Sequence, residues 1–490
     1  MKIELNRHSQ IPLAKQIYQE LADRILSGQF AKGARLPSVR ELARTLHVSP
    51  VTVSHALEML ENQKLVTRIQ GKGTFVYEEA EPPDESTQRS TSFKLPDYLH
   101  RAQDVYYNQK TVAINFALST VDPSLLPTQV LAESLQHLAH HHPDILGTYG
   151  EIQGDLELRQ AMAQYLTGEN IHVSPQEILV TNGSQQGIDL VARSFLGPGD
   201  VVFTEEPTYA AAIDVFRSRG ATVVSVPVDE DGMRLDALTV MLDRYEPKLI
   251  YTIPTFHNPT GRVMSTKRRK ALVDLAADMN CLVLEDDPWS EIFFDTTPPP
   301  HIKSMDSHGN VIYLKGLSKI LSPGCRIGFL VASVHVLNRL ITAKTYADLG
   351  NPLLNQKVVL PIIQSPQKIA ELFTHLRSVL RKRRDFTIQL LERHAHPDLS
   401  WTVPKGGFNL WLSLPDGANA NDLLAEAEKR QISFLPGSSC YPGDIEWHHF
   451  RVSYAHVDEA VLQKGIRELC VVTATYLASL HDRKGNTPLF

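Results

Sequence analysis

Four short stretches hold polar residues at the ends of apolar runs, where a fold can aim them at a ligand. Asn182-Gly183-Ser184-Gln185-Gln186-Gly187 follows the run Ile178-Leu179-Val180 and opens a helical pattern over residues 188–195. Backbone N–H groups at such a helix start, joined by a Ser hydroxyl, make an anion site. Asn258-Pro259-Thr260-Gly261 follows the run Leu249-Ile250-Tyr251-Thr252. Asp286 ends the apolar strand Cys281-Leu282-Val283-Leu284, within Glu285-Asp286-Asp287-Pro288-Trp289. Ligands of open α/β sheets sit beyond the carboxyl ends of strands, so this carboxylate is placed to meet one. Ser318-Lys319 follows Val311-Ile312-Tyr313-Leu314, and Arg326 comes seven residues after Lys319.

Taken singly, these are a glycine turn, a solvated acid and a surface lysine beside a serine. Taken in order, they are a lysine that can attack a carbonyl carbon, an arginine for a phosphate and an aspartate for a pyridinium nitrogen. Those are the protein parts that pyridoxal 5′-phosphate requires. Asp286 would keep the ring nitrogen protonated so that the ring can accept electrons. Lys319 would hold the aldehyde carbon, and Ser184, Gln185, Ser318 and Arg326 would neutralise the phosphate.

The elements that must position them come from a chain of 490 residues, 42% hydrophobic and 21% charged. This length suits two to four domains, and the composition excludes a largely disordered, collagen-like or coiled-coil chain. No apolar run approaches the roughly 18 residues of a membrane helix. The first seven residues contain no apolar stretch, so no secretory signal is expected. Cys281, Cys325, Cys440 and Cys470 are scattered, with no disulfide framework and no metal-type CxxC, which suits a reducing cytoplasm. From about residue 111, short apolar strands alternate with helical patterns to near residue 481, predicting a mostly parallel α/β sheet. The last residues, 482–490, read as a frayed tail.

The net charge of −6 is unevenly divided. Residues 1–77 hold 11 Lys and Arg against 6 Asp and Glu, a balance of +5, which leaves −11 on the other 413 residues. A small basic module on an acidic body is the charge layout of a nucleic-acid reader carrying a second domain. Within it, Leu13, Ile17, Leu21 and Ile25 recur at helical spacing. Ser38 with Glu41 forms a capping box before a second helix that buries Val39, Leu42, Ala43 and Leu46. His47-Val48 turns the chain, and Ser49 caps a third helix with Pro50 at its first position. Val53, Ala56, Leu57 and Leu60 face inward there, leaving Thr52, Ser54, His55 and Glu58 on other faces. Two short helices about a tight turn read as a helix-turn-helix, and residues 66–76 as a β-hairpin wing. A three-helix docking module is the other reading of the same pattern. Residues 78–110 form the expected linker, acidic and proline-containing in its first part, with a short helical patch at 97–107.

The segment GARLPSVRELARTLHVSPVTVSHALEMLENQKLVTRIQGKGTFV resembles the winged helix-turn-helix of GntR-family bacterial transcription factors. The resemblance implies contacts to double-stranded DNA from Arg35, Arg40, Thr52, His55, Gly71, Lys72 and Gly73. Pro50 departs from it, because the family often places Arg there. Residues 112–480 resemble fold-type I aminotransferases of the aminoadipate/kynurenine-like branch, through TNGSQQG, EEPTYAAA, FHNPTG, EDDPW, KGLSKILSPGCRIGF and FRVSYA. That similarity implies that Tyr209 stacks on the pyridine ring, that Asn258 bonds its phenolic oxygen and that Arg451 pairs with an amino-acid carboxylate. It also implies that Tyr149 reaches the partner's phosphate in a homodimer. Trp289 replaces a Tyr that usually donates to the phenolic oxygen, and Gly316 replaces a Ser near the phosphate.

A GntR-type module on such a body resembles the MocR subfamily of bacterial regulators. The expected architecture is a small α+β winged helix-turn-helix domain (1–77), a linker (78–110) and a large α/β aminotransferase-like domain (111–490). The expected function is a cytoplasmic transcriptional regulator that senses pyridoxal phosphate, an amine or an amino acid. The alternative is a working aminotransferase with an accessory N-terminal module, and a third reading is a body that has lost its cofactor.

Overall fold

The computed structural model describes residues 12–26, 30, 34, 36–63, 65–69, 73–77 and 112–485, in two units divided near Lys94. The expected linker, the helical patch at 97–107, Arg35, Gly71 and Lys72 lie outside the described residues, as does the side chain of Arg40.

In the small unit, α1 spans Leu13–Leu26, α2 Val39–Leu46 and α3 Pro50–Asn62. Ser38 accepts the Glu41 N–H at 3.2 Å and caps α2, and His47 ends it in the left-handed region at φ 52°. Ser49 accepts the Thr52 N–H at 3.1 Å and caps α3. A short polar side chain at each start satisfies a backbone donor that the helix leaves open. Ile17, Leu21, Leu42, Val53, Ala56, Leu57 and Leu60 are buried together. Strands β1 (Val66–Ile69) and β2 (Gly73–Val76) pair antiparallel, from Val66 opposite Val76 to Ile69 opposite Gly73, and form the wing.

The large unit is built on an eight-stranded sheet. Its strands are β4 (Ile178–Thr181), β5 (Val201–Glu206), β6 (Thr222–Asp229), β7 (Gly232–Met233), β8 (Pro247–Thr252), β9 (Leu282–Asp287), β10 (Val311–Gly316) and β11 (Gly328–Val331). Their order is β4-β11-β10-β9-β8-β5-β6-β7. The inner pairs β10–β9, β9–β8, β8–β5 and β5–β6 are parallel, whereas β11 and β7 run antiparallel to their neighbours. The parallel strands are near-continuous apolar runs because helices cover both faces. Beyond this sheet, β3 (Ile114–Asn115) pairs parallel with β14 (Ile432–Ser433). A four-stranded sheet, ordered β12 (Ser400–Trp401), β13 (Asn409–Ser413), β16 (His449–Ser453) and β15 (Leu435–Pro436), completes the unit. None of the described helices is long and apolar enough to cross a membrane.

Three boundaries differ from the sequence reading. The helix after β4 begins at Ser184, not at residue 188, because its first turn is polar and carries no apolar periodicity. Strand β9 starts at Leu282 and continues one residue past Asp286 to Asp287, with its acidic residues buried. The last helix, Glu459–Gly485, extends through the start of the expected frayed tail.

Candidate functional site

Side chains alternate across a strand, so Asp286 of β9 faces one side of the sheet while Glu285 and Asp287 face the other. The register sets Leu314 beside Asp286 and Tyr251 beside Leu284, putting Tyr251, Asp286, Leu314 and Gly316 on a single face. The helix Ser184–Phe195 packs over that face at Gly187, where an added methyl would come within 2.4 Å of Leu314. Glycine is required for so close an approach.

The anion cradle lies at the start of this helix. Gly183 has φ 78°, and a methyl there would lie 2.6 Å from the Arg326 guanidinium. Arg326 donates from Nη1 to Ser318 Oγ and from Nη2 to the Asn182 carbonyl, each at 3.2 Å. Gly316 meets Ser184: a methyl on Gly316 would be 2.9 Å from Ser184 Oγ, so a serine at 316 would force Ser184 to turn. The structure therefore brings Ser184, Ser318 and Arg326 to one place. Asn182 is braced from behind, donating to Asp348 at 3.0 Å and accepting from Asn351 at 2.7 Å. Gln186 and the buried Lys344 also engage Asp348, at 2.6 Å each.

Asp286 is buried. Its Oδ2 accepts the Tyr251 hydroxyl at 2.7 Å, while Oδ1 has no hydrogen-bond partner. Burial pushes its carboxyl up to about 7, with Asp287 adding to the shift and the Tyr251 bond opposing it. A buried acid with one unmatched oxygen is suited to a cationic N–H donor such as a pyridinium. Tyr209 donates to Gln185 Oε1 at 3.1 Å, and burial, reinforced by the charge of Asp286, raises its phenol to about 12. Lys319 is pushed down to about 8 by burial and then by the charges of Arg451 and Arg326. An amine so placed has an accessible neutral, nucleophilic form.

Arg451, on β16, donates to Asn258 Oδ1 at 2.7 Å and to the Ala117 carbonyl at 2.5 Å. Its Nε is buried without a partner. Asn409, on the same face of the neighbouring β13, accepts from Ser119 at 2.6 Å and keeps Nδ2 buried and unpartnered. Two unmatched buried donors mark a place for an acceptor such as a carboxylate. Trp289 is fully buried, its indole N–H donating to the Phe256 carbonyl at 2.8 Å. That donor is thus spent on the backbone, and the position supplies no hydroxyl to a ring oxygen. Tyr149 is 88% exposed.

The other face of β9 holds a buried ionic cluster that sequence reasoning did not find. Lys315, fully buried, reaches Asp287 at 3.0 Å and Glu291 at 2.6 Å. Tyr313 and Ser290 each donate to Asp287 at 2.6 Å, and Tyr165 donates to Glu291. Burial would lower the His301 ring, but Glu169, Glu285 and Asp287 outweigh it and raise it to about 10. Tyr251 and Asn409 were also missed. Their signal was strand alternation, which puts Tyr251 on the face of Asp286 and Asn409 on that of Arg451.

In the small unit, His55 is exposed on α3, and Thr52 hydrogen-bonds Ser49 through its hydroxyl at 2.7 Å. Gly73 starts β2 with φ 122°. Arg68, not anticipated, ties the wing to α3 by donating to Ser54 Oγ at 3.0 Å and, through its backbone N–H, to Glu61 at 3.1 Å.

Residues 114–469 match the family described as aminotransferase class I and II, and residues 13–76 match the bacterial regulatory proteins of the gntR family. The chain is 33% identical over 475 residues to an uncharacterised HTH-type transcriptional regulator of Bacillus subtilis, YisV, covering 94% of this chain and 96% of that protein. Among solved structures, the α-aminoadipate aminotransferase LysN of Thermus thermophilus, complexed with N-(5′-phosphopyridoxyl)-L-leucine, superposes with a TM-score of 0.74 at 32% identity. The alignment covers 79% of this chain and 98% of that one. Kynurenine aminotransferase of Pyrococcus horikoshii, in complex with PMP, gives a TM-score of 0.73 at 31% identity, over 78% and 96% of the two chains.

Proposed function

We propose that this chain, which belongs to the transcriptional regulators joining a GntR-type winged helix-turn-helix to a class I and II aminotransferase body, the architecture of the MocR subfamily, responds to an amine or amino acid through bound pyridoxal phosphate. The observation that carries the reading is Asp286, whose buried Oδ1 lacks a partner and would accept from a pyridinium N–H. The chemistry of the rest of the set fits the same group. The cofactor, when bound, supplies an aldehyde reactive toward amines and a ring that accepts electrons.

The chain's own residues then have separable tasks. Arg326, Ser318 and Ser184, with the N–H groups of the helix start, hold a phosphate dianion. Asp286, kept in place by Tyr251, holds a proton on the ring nitrogen. Tyr209 would cover the ring, and Asn258, its Oδ1 occupied by Arg451, would offer Nδ2 to the ring oxygen. Lys319 would be the amine that meets the aldehyde carbon. Arg451 Nε and Asn409 Nδ2 offer donors to the carboxylate of an amino acid, as the leucine adduct bound by LysN favours. Tyr149, exposed on one protomer, would complete the partner's phosphate site in a homodimer.

On the DNA side, Arg35, Arg40, Thr52, His55, Gly71, Lys72 and Gly73 would meet phosphates and base edges, in a cytoplasmic protein. A ligand changes DNA occupancy only by binding two arrangements of the body with different affinity. Trp289 favours regulation over rapid transamination, because its donor is bonded to Phe256 rather than available to the ring oxygen. The test is an absorbance titration of cofactor-loaded protein with a panel of amino acids and amines, beside binding to its own upstream DNA. One compound should change both the spectrum and the DNA affinity. Steady turnover with 2-oxoglutarate and no effect of any compound on DNA would establish the enzyme reading instead.

A further inference from the structure

Near the start of β16, two residues before Arg451, two histidines and a glutamate converge. Glu446, His448 and His449 each present one ligand atom, and these atoms all lie within 4.8 Å of one another. His449 Nε2 is already 2.9 Å from Glu446 Oε2. The rings of His448 and His449 have centroids 3.9 Å apart. A tetrahedral Zn²⁺ with bonds of about 2.1 Å needs ligand atoms about 3.4 Å apart, so closure asks for a shift of roughly 1.4 Å at most. His448 is half-buried and Glu446 exposed, so both can make that adjustment.

The groups behind these three are arranged as the outer shell of a metal site usually is. Ser413 Oγ engages His449 Nδ1 at 2.8 Å, which leaves Nε2 toward Glu446. Tyr441 donates to Glu446 at 3.0 Å. Trp411 stacks on the His449 ring at 5.3 Å. The backbone is fixed as well: the His448 carbonyl accepts from Leu414 at 2.8 Å and the Trp447 carbonyl from Ala420 at 2.7 Å. Imidazole with a carboxylate selects a borderline divalent cation over Mg²⁺ or Ca²⁺, which prefer all-oxygen ligands.

We infer that Glu446, His448 and His449 form a binding site for a divalent transition-metal ion of the Zn²⁺ class, with at least one coordination position left open. The ion would take the place of the hydrogen bond between His449 Nε2 and Glu446 Oε2. It would fix the start of the strand that carries Arg451 two residues further on. The inference does not depend on the cofactor reading, and its test reads metal alone.

The experiment is calorimetric titration of the full-length protein with ZnCl₂ in a phosphate-free buffer, repeated with MgCl₂ and CaCl₂. One Zn²⁺ per chain should bind, and neither Mg²⁺ nor Ca²⁺ should compete. His448→Asn and Glu446→Gln should each weaken this binding. Ser413→Ala, which frees the His449 ring, should weaken it by about 10–100-fold, as loss of an outer-shell partner does. The stacked pair His137 and His141 on the helix Thr128–His141 is a second imidazole source, and His137→Asn/His141→Asn should leave the titration unchanged. Absence of Zn²⁺ binding, equal competition by Mg²⁺, or loss of the signal only in the His137/His141 variant would overturn the assignment.

Discussion

Asp286 and Asp287 are neighbours in β9, yet their carboxyl groups are driven in opposite directions. Burial leaves Asp286 with one unmatched oxygen and lifts it to about 7. Burial would lift Asp287 too, but Lys315, His301, Ser290 and Tyr313 outweigh it and hold the carboxyl well below the usual range. The pleat produces the contrast by sending the two side chains to opposite faces of the sheet. One face therefore carries a settled ionic cluster, and the other carries an acid awaiting a cation.

A pH dependence follows for cofactor-free protein. Between the ordinary value of 3.8 and about 7, the folded chain holds a proton on Asp286 that the unfolded chain has released. Stability from this group therefore falls as pH rises through that window, by up to about 1.4 kcal/mol per pH unit, and levels off above it. Asp286→Asn removes the slope. Urea unfolding of both proteins at several pH values should show wild type losing ground to the variant from about pH 5 to about pH 7. Cofactor binding should reverse the order at neutral pH, because a pyridinium stabilises the charged carboxylate. Parallel pH profiles without cofactor would refute the assignment.

The opposite face yields a stability prediction. Lys315 is fully buried between Asp287 and Glu291. Lys315→Met removes the one cation that touches both carboxylates and leaves only His301, 3.9 Å from Asp287, a change that costs about 3–5 kcal/mol when one partner of a buried pair is removed. Chemical denaturation measures it. A loss below about 1 kcal/mol would mean that the carboxylates shed their charge at little cost and that the cluster is not held by Lys315.

What the sequence made legible was local. Ser184, Asp286 and Lys319 each follow an apolar run and Arg326 precedes one, and their order suggested a common ligand. The winged helix was legible because its caps, Ser38 and Ser49, and its periodic apolar residues lie within a few positions of each other. The Lys315 cluster was not, because it joins residues from β9, β10, the helix Leu156–Gly168 and the segment near His301. Nothing in the immediate neighbourhood of Lys315 announces a buried partner. Trp289 was read as a missing hydroxyl, and only the fold showed its N–H bound to Phe256. The first turn of the helix at Ser184 was overlooked because a polar turn has no hydrophobic period to read.

Tyr149 leads to a subunit-mixing experiment. It is exposed, as a residue serving a partner would be. Mixing Tyr149→Phe and Lys319→Ala chains should give heterodimers with one undamaged site and one doubly damaged site. Absorbance titration of the mixed dimer should then recover half of the wild-type amplitude at wild-type affinity. Equal damage at both sites would show that Tyr149 acts within its own chain or not at all.

Lys319 separates regulation from catalysis. Burial and two nearby arginine charges bring its amine to about 8, so its neutral, nucleophilic fraction grows between pH 7 and 9. Cofactor loading should accelerate over that interval. Lys319→Ala should abolish the absorbance band of the lysine-linked cofactor while leaving some cofactor bound, since Asp286, Arg326, Ser184 and Ser318 would still hold the ring nitrogen and the phosphate. DNA affinity should persist, because the winged helix has its own core of Ile17, Leu21, Val53 and Leu57. The response to an amine effector should fail if Lys319 is the group that an amine must displace, because without it the two arrangements would lose much of their difference in affinity. Promoter output in cells carrying each form, with and without effector, measures this. An unaltered response from the Ala variant would eliminate amine exchange as the switch, and unaltered expression with lost turnover would identify the body as an enzyme.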